Sequence, residues 1–187
     1  AMEGQLHAKE MEALELQNLL EREKLQQLRS QINPHFLFNT LNVILYTAQQ
    51  EGAEKSHALM NSLCHLLRYA LGSNENRVPL AREMRIVDEF YALSRARFGD
   101  RLRLRWHVSP EVDVADTLVP SFILQPLVEN AFKHGLAPKE EGGCVDIYIR
   151  EEDGLLKIAV SDDGVGMSPE TLEAVRDNLK NPPTTGE

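Results

Sequence analysis

The 187-residue sequence predicts an α+β chain, helices alone in its first part and helices laid on a mixed sheet in its second. Three observations lead there. From Leu6 to about Gln31 the chain is rich in Leu, Glu, Gln and Lys and contains no proline, the composition of a long helix. Leu102, Leu104, Trp106 and Val108 alternate with Arg101, Arg103, Arg105 and His107, the period of a half-buried strand. Val145, Ile147 and Ile149, then Leu156, Ile158 and Val160, repeat that alternation on either side of Asp153-Gly154, a hairpin-turn dipeptide.

The elements follow in chain order. In the first helix Met11, Leu14, Leu25, Leu28 and Ile32 fall on a three-four spacing, interrupted by Asn18 and Glu21, so the helix is expected to be paired. The same seam continues to His35, Asn39 and Asn42, which carries the helix through Pro34. The missing N–H of that proline should bend it. Leu59, Leu63, Leu66, Leu67 and Ala70 predict a second helix from about Lys55 to Leu71, ended by Gly72-Ser73-Asn74. Two such helices form a hairpin that covers little by itself, and dimerisation into a four-helix bundle would bury both apolar faces. A third helix is expected over Leu80 to Ala96, and a fourth near Pro126 to His134, between the strands. The boundary is placed so that residues 1–76 form the helical part and 77–187 the α/β part.

Bulk properties narrow the functions. A formal net charge of −9 opposes sequence-independent binding to phosphate backbones, so nucleic acid is not an expected partner. Cys64 and Cys144 lie far apart in the sequence with no CxxC spacing, which fits a reducing cytoplasm. The longest uncharged run, Ser30 to Gln50, is interrupted by Pro34, by amides and by His35 and does not suit a membrane span. Ala1-Met2 looks like a remnant before an internal start. On that reading the chain is the soluble portion of a longer protein, attached to a membrane only through segments outside it.

Three segments carry candidate chemistry. In "QINPHFLFNTLN" (31–42) a proline precedes His35, with Asn39 and Asn42 on the same seam. In "LQPLVENAFKHG" (124–135) an α-helix would put Asn130, Lys133 and His134 on one face while Leu127, Val128 and Ala131 face the sheet. An amide oxygen suits a hard cation such as Mg²⁺, and a lysine suits the phosphates such a cation bridges; a merely solvated amphipathic helix has the same pattern. In "AVSDDGVGM" (159–167) strand parity directs Asp162 to the side of Ile158 and Val160, where a ligand amino group could meet its carboxylate. Gly164 and Gly166 would let the backbone pass close to such a ligand, although an acidic glycine turn has the same letters.

Jointly these segments resemble the LytS-like sensor histidine kinases, which usually work with LytTR-type response regulators. "LRSQINPHFLFNTLN" is similar to that family's phosphoacceptor motif, "VPSFILQPLVENAFKHG" to its asparagine box and "DDGVGM" to its first glycine box. "LLRYAL" and "ARFGDRL" match as well. The resemblance spans roughly residues 24–170. It implies a homodimeric phosphoacceptor hairpin followed by a GHKL-type ATP-binding α/β sandwich. It further implies His35 as phosphoacceptor, Asn130 as Mg²⁺ ligand, Lys133 and His134 beside the phosphates, and Asp162 on the adenine amino group. Gly164 and Gly166 would shape the adenine pocket.

On this resemblance the chain autophosphorylates His35 with ATP and passes the phosphoryl group to an aspartate of a response regulator. The alternative is a dimeric signalling scaffold that binds nucleotide weakly or not at all. Two departures stand out. Phe36 occupies the place where many histidine kinases carry an acidic residue, which leaves the general base open, with Glu129 as a candidate. Only Gly186 follows Gly166, so the second glycine box is missing and the sandwich is expected to be incomplete at its C-terminal side. Arg95, Arg97, Arg101, Arg103 and Arg105 fit a solvated strand edge better than a nucleotide-steering patch.

Overall fold

The computed structural model describes residues 34–72 and 75–180. The chain divides into two compact units between Gly72 and Ser73. The long helix expected over Leu6 to Gln31, the bend at Pro34 and the tail "NPPTTGE" lie outside the described residues, as do Ser73 and Asn74 of the loop after the hairpin.

In the first unit α1 (Pro34–Gln50) and α2 (Glu54–Gly72) pack as a hairpin. The turn is a helix C-cap of the Schellman type. Gly52 adopts φ 66°, its N–H reaches the Gln49 carbonyl at 3.1 Å, and the Ala53 N–H reaches the Ala48 carbonyl at 2.9 Å. Only glycine enters the left-handed region without a Cβ penalty, so the reversal is encoded at that one residue. Leu41, Ala48, Ser62, Cys64 and Tyr69 are buried, whereas Phe36, Val43, Ile44 and Tyr46 are exposed. The Arg68 guanidinium lies 5.6 Å from the centre of the Phe38 ring, tying the end of α2 to the start of α1.

The second unit is built on a three-stranded sheet in the order β2 (Leu102–Val108), β4 (Gly143–Glu152), β5 (Leu155–Asp162). Strands β2 and β4 run parallel, and β4 pairs antiparallel with β5. Asp153 (φ 55°) and Gly154 (φ 72°) make the turn between β4 and β5, the backbone a two-residue hairpin loop requires. A parallel pair needs a long crossover. Here it contains β3 (Leu118–Pro120), α4 (Gln125–Asn130) and a π-helical turn, Ala131–Leu136. Strand β3 pairs antiparallel with β1 (Arg77–Pro79), which leads directly into α3 (Leu80–Phe98).

The core lies between sheet and helices. Leu80, Glu83, Ile86 and Val87 recur at helical spacing on the buried face of α3. They share that layer with Val128, Phe132 and Leu136 of the crossover and with Val145, Ile147 and Ile149 of β4. Strand β4 is central and its core-facing side chains are fully buried. Strand β5 is the outer strand, and its Leu156, Ile158 and Val160 are only half-buried. Leu127 was expected to face the sheet but is 48% exposed. The crossover buries a narrow stripe through Val128, Ala131 and Phe132, and Leu127 lies off it.

Candidate functional site

Both candidate regions are built from backbone features of their own unit. On α1, His35 is exposed, at the end of the hairpin away from the Gly52 turn. Asn39, one helical turn on, brings its side-chain nitrogen to 3.2 Å from His35 Nδ1 and 3.4 Å from Nε2. The roles in this contact follow the tautomer of the ring. An N–H donated to Nδ1 keeps the ring proton on Nε2, while the amide oxygen in the same place accepts the proton of Nδ1 and frees the lone pair of Nε2. Either way, the neighbour of the His35 ring is an uncharged amide.

In the α/β unit, the end of the crossover and the loop after β5 meet backbone to backbone. A Cβ on Gly135 would stand 2.3 Å from Asp162 Oδ1, and one on Gly164 would stand 2.3 Å from the Gly135 carbonyl carbon. The Val165 N–H bonds the Gly135 carbonyl at 3.0 Å. Asp162 Oδ1 accepts the Gly164 N–H at 3.0 Å, which leaves Oδ2 without a protein donor among the described residues. Asp162 is on the core-facing parity of β5, as expected, but it is exposed, at the last position of the strand. Gly166 has φ 71° with open space around it, and it turns the chain away from the strand.

Asn130, Lys133 and His134 are all exposed, and none bonds another side chain among the described residues. Their spacing differs from the expected i, i+3, i+4 face. Residues 131–136 are π-helical, and the Ala137 N–H reaches back five residues to the Phe132 carbonyl at 2.8 Å. The wider turn unwinds the face that an α-helix would give these side chains, and such turns occur frequently at functional sites.

A separate cleft of about 590 Å³ opens between α3 and the crossover, walled by Phe90, Phe98 and Phe132 with Arg97, Glu129 and Lys133. Glu129 therefore belongs to the α3 side of its helix. Asn130 and Asp162 do not line this cleft. The arginines are largely engaged locally. Arg105 forms a two-pronged pair with Asp146 at 2.8 and 2.7 Å, Arg101 donates to the Glu140 carbonyl, Arg95 pairs with Asp100, and Arg97 lies over Phe98. Arg105 and then His107 hold the Asp146 carboxyl well below the usual carboxylate range, at about 2. Burial raises Asp88 despite its bond from the Trp106 indole.

Two contributors are not visible in the sequence pattern. Gly135 closes the segment "KHG", and only the three-dimensional approach of Asp162 and Gly164 shows why a side chain is excluded there. Asp163 accepts the Cys144 N–H at 2.8 Å, and its carbonyl receives Lys139 Nζ at 2.8 Å, which pins the root of the glycine loop to β4.

One unit therefore exposes a histidine held by an amide, and the other sets a carboxylate on a backbone cradle beside an asparagine-lysine-histidine helix. This defines a two-unit α+β protein, a helical hairpin followed by an α/β unit. Residues 23–102 match the family described as "Histidine kinase", and residues 115–186 match the "Histidine kinase-, DNA gyrase B-, and HSP90-like ATPase" family. Sensor histidine kinase YpdA of Escherichia coli strain K12 is 34% identical over 167 residues, 89% of this chain and 29% of that protein. Sensor protein LytS of Bacillus cereus is 35% identical over 167 residues, 88% of this chain and 28% of the relative. Among solved structures, a blue-light activated histidine kinase domain from Erythrobacter litoralis covers 78% of this chain and 71% of its own, at 16% identity and TM-score 0.39. That likeness is too loose to bear on details. The chain belongs to the sensor histidine kinase family and spans less than a third of the length of these curated relatives. No described helix is long and apolar enough to cross a membrane.

Proposed function

We propose that this chain is the cytoplasmic part of a two-component sensor kinase that uses ATP to phosphorylate His35 and then passes the phosphoryl group to an aspartate of a response regulator, of the LytTR type. The observation that carries this reading is the exposed His35 ring with Asn39 against its edge. A ring nitrogen with a free lone pair forms the N–P bond as the bond from the γ-phosphorus to the β,γ-bridging oxygen breaks, and ADP leaves. The ring proton passes to a base that remains unassigned.

ATP supplies the phosphoryl group, and the residues present fit it. Asp162 Oδ2 is available to accept from the adenine amino group, and Gly135 and Gly164 keep that surface clear of side chains. The exposed amide of Asn130 offers one oxygen to Mg²⁺, an ion that commonly keeps several waters and is completed by substrate phosphates. Lys133 and His134 provide positive or donor groups on the phosphate side. We assign residues 1–76 to the signalling helix and phosphoacceptor hairpin and 77–187 to the ATP-binding unit. The exposed Phe36, Val43, Ile44 and Tyr46 support a homodimeric four-helix bundle, since a second copy of a two-helix unit would bury apolar side chains that one copy leaves in water. Membrane attachment would come from segments outside this chain.

Incubation of the longer protein with γ-labelled ATP should give acid-labile, base-stable label that is lost in His35→Ala. Label retained by that variant would sink the assignment. Titration with a non-hydrolysable analogue and Mg²⁺ should weaken at least tenfold in Asn130→Ala and in Asp162→Ala.

A further inference from the structure

Glu83 sits in the first turn of α3 and is 1% exposed. Isolating a carboxylate from water is costly unless donors surround the charged oxygens. Here the donors come from the far side of the chain: Oε1 accepts the Phe122 N–H at 2.9 Å and Oε2 accepts the Leu124 N–H at 3.0 Å. Those amides open the crossover helix. Leu124 is the N-cap of α4, and no side chain of that helix caps it. Pro126 in its first turn has no N–H to satisfy, so the Glu83 carboxylate serves as a cap delivered from another helix.

The backbone at this point is under strain. Phe122 takes φ 63°, a left-handed conformation that a bulky residue seldom adopts, and such conformations persist where surrounding contacts over-determine them. The base of the clamp is itself anchored. The Leu80 and Ala81 N–H groups bond the Thr117 and Val114 carbonyls at 2.8 Å each, and β1 pairs with β3 immediately before the strained turn. The first turn of α3 is thus a fixed post, and Glu83 is its contact with the start of α4.

We propose that Glu83 is the positioning residue of the asparagine helix, setting through the Phe122 and Leu124 amides the direction in which α4 presents Asn130. This rests on the reading of Asn130 as a nucleotide-side ligand. Asn130 lies six residues beyond Leu124, about 9 Å along a helix rising 1.5 Å per residue. A swing of about 10° at the clamp would move it by roughly 1.6 Å, and displacements near 1 Å cost on the order of a hundredfold where positioning does the catalytic work. Glu83→Gln keeps the size but replaces one accepting oxygen with an NH₂ that meets an N–H head on. Glu83→Asp keeps both oxygens on a shorter arm.

The test has two arms, amide exchange on the 187-residue chain and nucleotide binding on the longer protein. Without nucleotide, amide hydrogen exchange of Glu83→Gln should accelerate at least tenfold over 122–136 and stay unchanged over β4 and β5. With Mg²⁺ and a non-hydrolysable ATP analogue, Glu83→Gln should weaken binding at least tenfold, Glu83→Asp should fall between it and wild type, and adding Asn130→Ala to Glu83→Gln should cost little more. Uniform acceleration across the unit, no acceleration at all, or fully multiplicative losses in the double variant would each overturn the proposal. If Glu83→Gln does not fold, Glu83→Asp carries both arms. A wild-type chain that binds no nucleotide overturns the reading of Asn130 and with it the role given to the clamp, an outcome distinguishable because it fails before any substitution is made.

Discussion

The hairpin and the α/β unit solve the problem of burial in opposite ways. In the α/β unit, helices and strands converge on one layer, and Val128, Val145 and Ile147 are 0% exposed. In the hairpin, Leu41 and Ala48 are buried while Val43 and Tyr46, on the same helix, are 65% and 62% exposed. Two helices can hide only the stripe each turns toward the other, whereas a sheet with helices on it encloses side chains from several directions. The α/β unit holds its candidate residues on a scaffold with its own core. The hairpin displays His35 on an element whose remaining apolar surface is exposed among the described residues.

The comparison can be broken most forcefully by truncating cores. Ile147→Ala should destabilise the α/β unit by about 2–5 kcal/mol, read as a lower denaturant midpoint at unchanged slope. Ile44→Ala, at a site 44% exposed, should cost the single chain under ~1 kcal/mol. Its larger effect should be weaker self-association by sedimentation. Equal losses at the two sites would erase the distinction.

Gly164→Ala comes next. The added methyl would stand 2.3 Å from the Gly135 carbonyl carbon, backbone that cannot rotate away, and overpacking of this kind costs about 1–3 kcal/mol. Analogue binding should fall with it, while the helical signal of the hairpin is unaffected. A third test sharpens the contrast through mass action. The hairpin's thermal transition should rise with protein concentration and that of the α/β unit should not, since only a folded state that associates is stabilised by its own concentration.

The smallest expected effect is electrostatic. With its carboxyl held at about 2 by Arg105 and His107, Asp146 contributes stability that is fully present above the ordinary carboxylate pKa and is lost as pH falls through about 2. The difference in stability between wild type and Asp146→Asn should shrink as pH falls from about 5 toward 2. A difference that grows over that range would contradict the Arg105–Asp146 pairing.

Much of the scaffold could be read directly. The strands over 102–108 and 155–162 alternate strictly, Asp153-Gly154 supplies the required positive φ angles, and the stretches read as helices over 55–71 and 80–96 extend by only one or two residues. Strands β1 and β3 were not legible, because each has three residues and no period can be recognised in so few. The π-helical turn was not legible either, and it displaced the even face expected for Asn130, Lys133 and His134.

The chemistry divides along the same line. Residue types and their order along the chain determined the candidates, because a histidine after proline, an asparagine-lysine-histidine helix and an acidic glycine turn are each visible within a dozen residues. What only the tertiary structure decided is how they are held. Gly164 must lack a side chain because a Cβ there would run into the backbone of Gly135 in the crossover, and Glu83 reaches amides 39 and 41 positions away. Local sequence carries conformational preference. Contacts between segments distant in the chain arise only when burial brings those segments together, and the orientation of this site depends on such contacts.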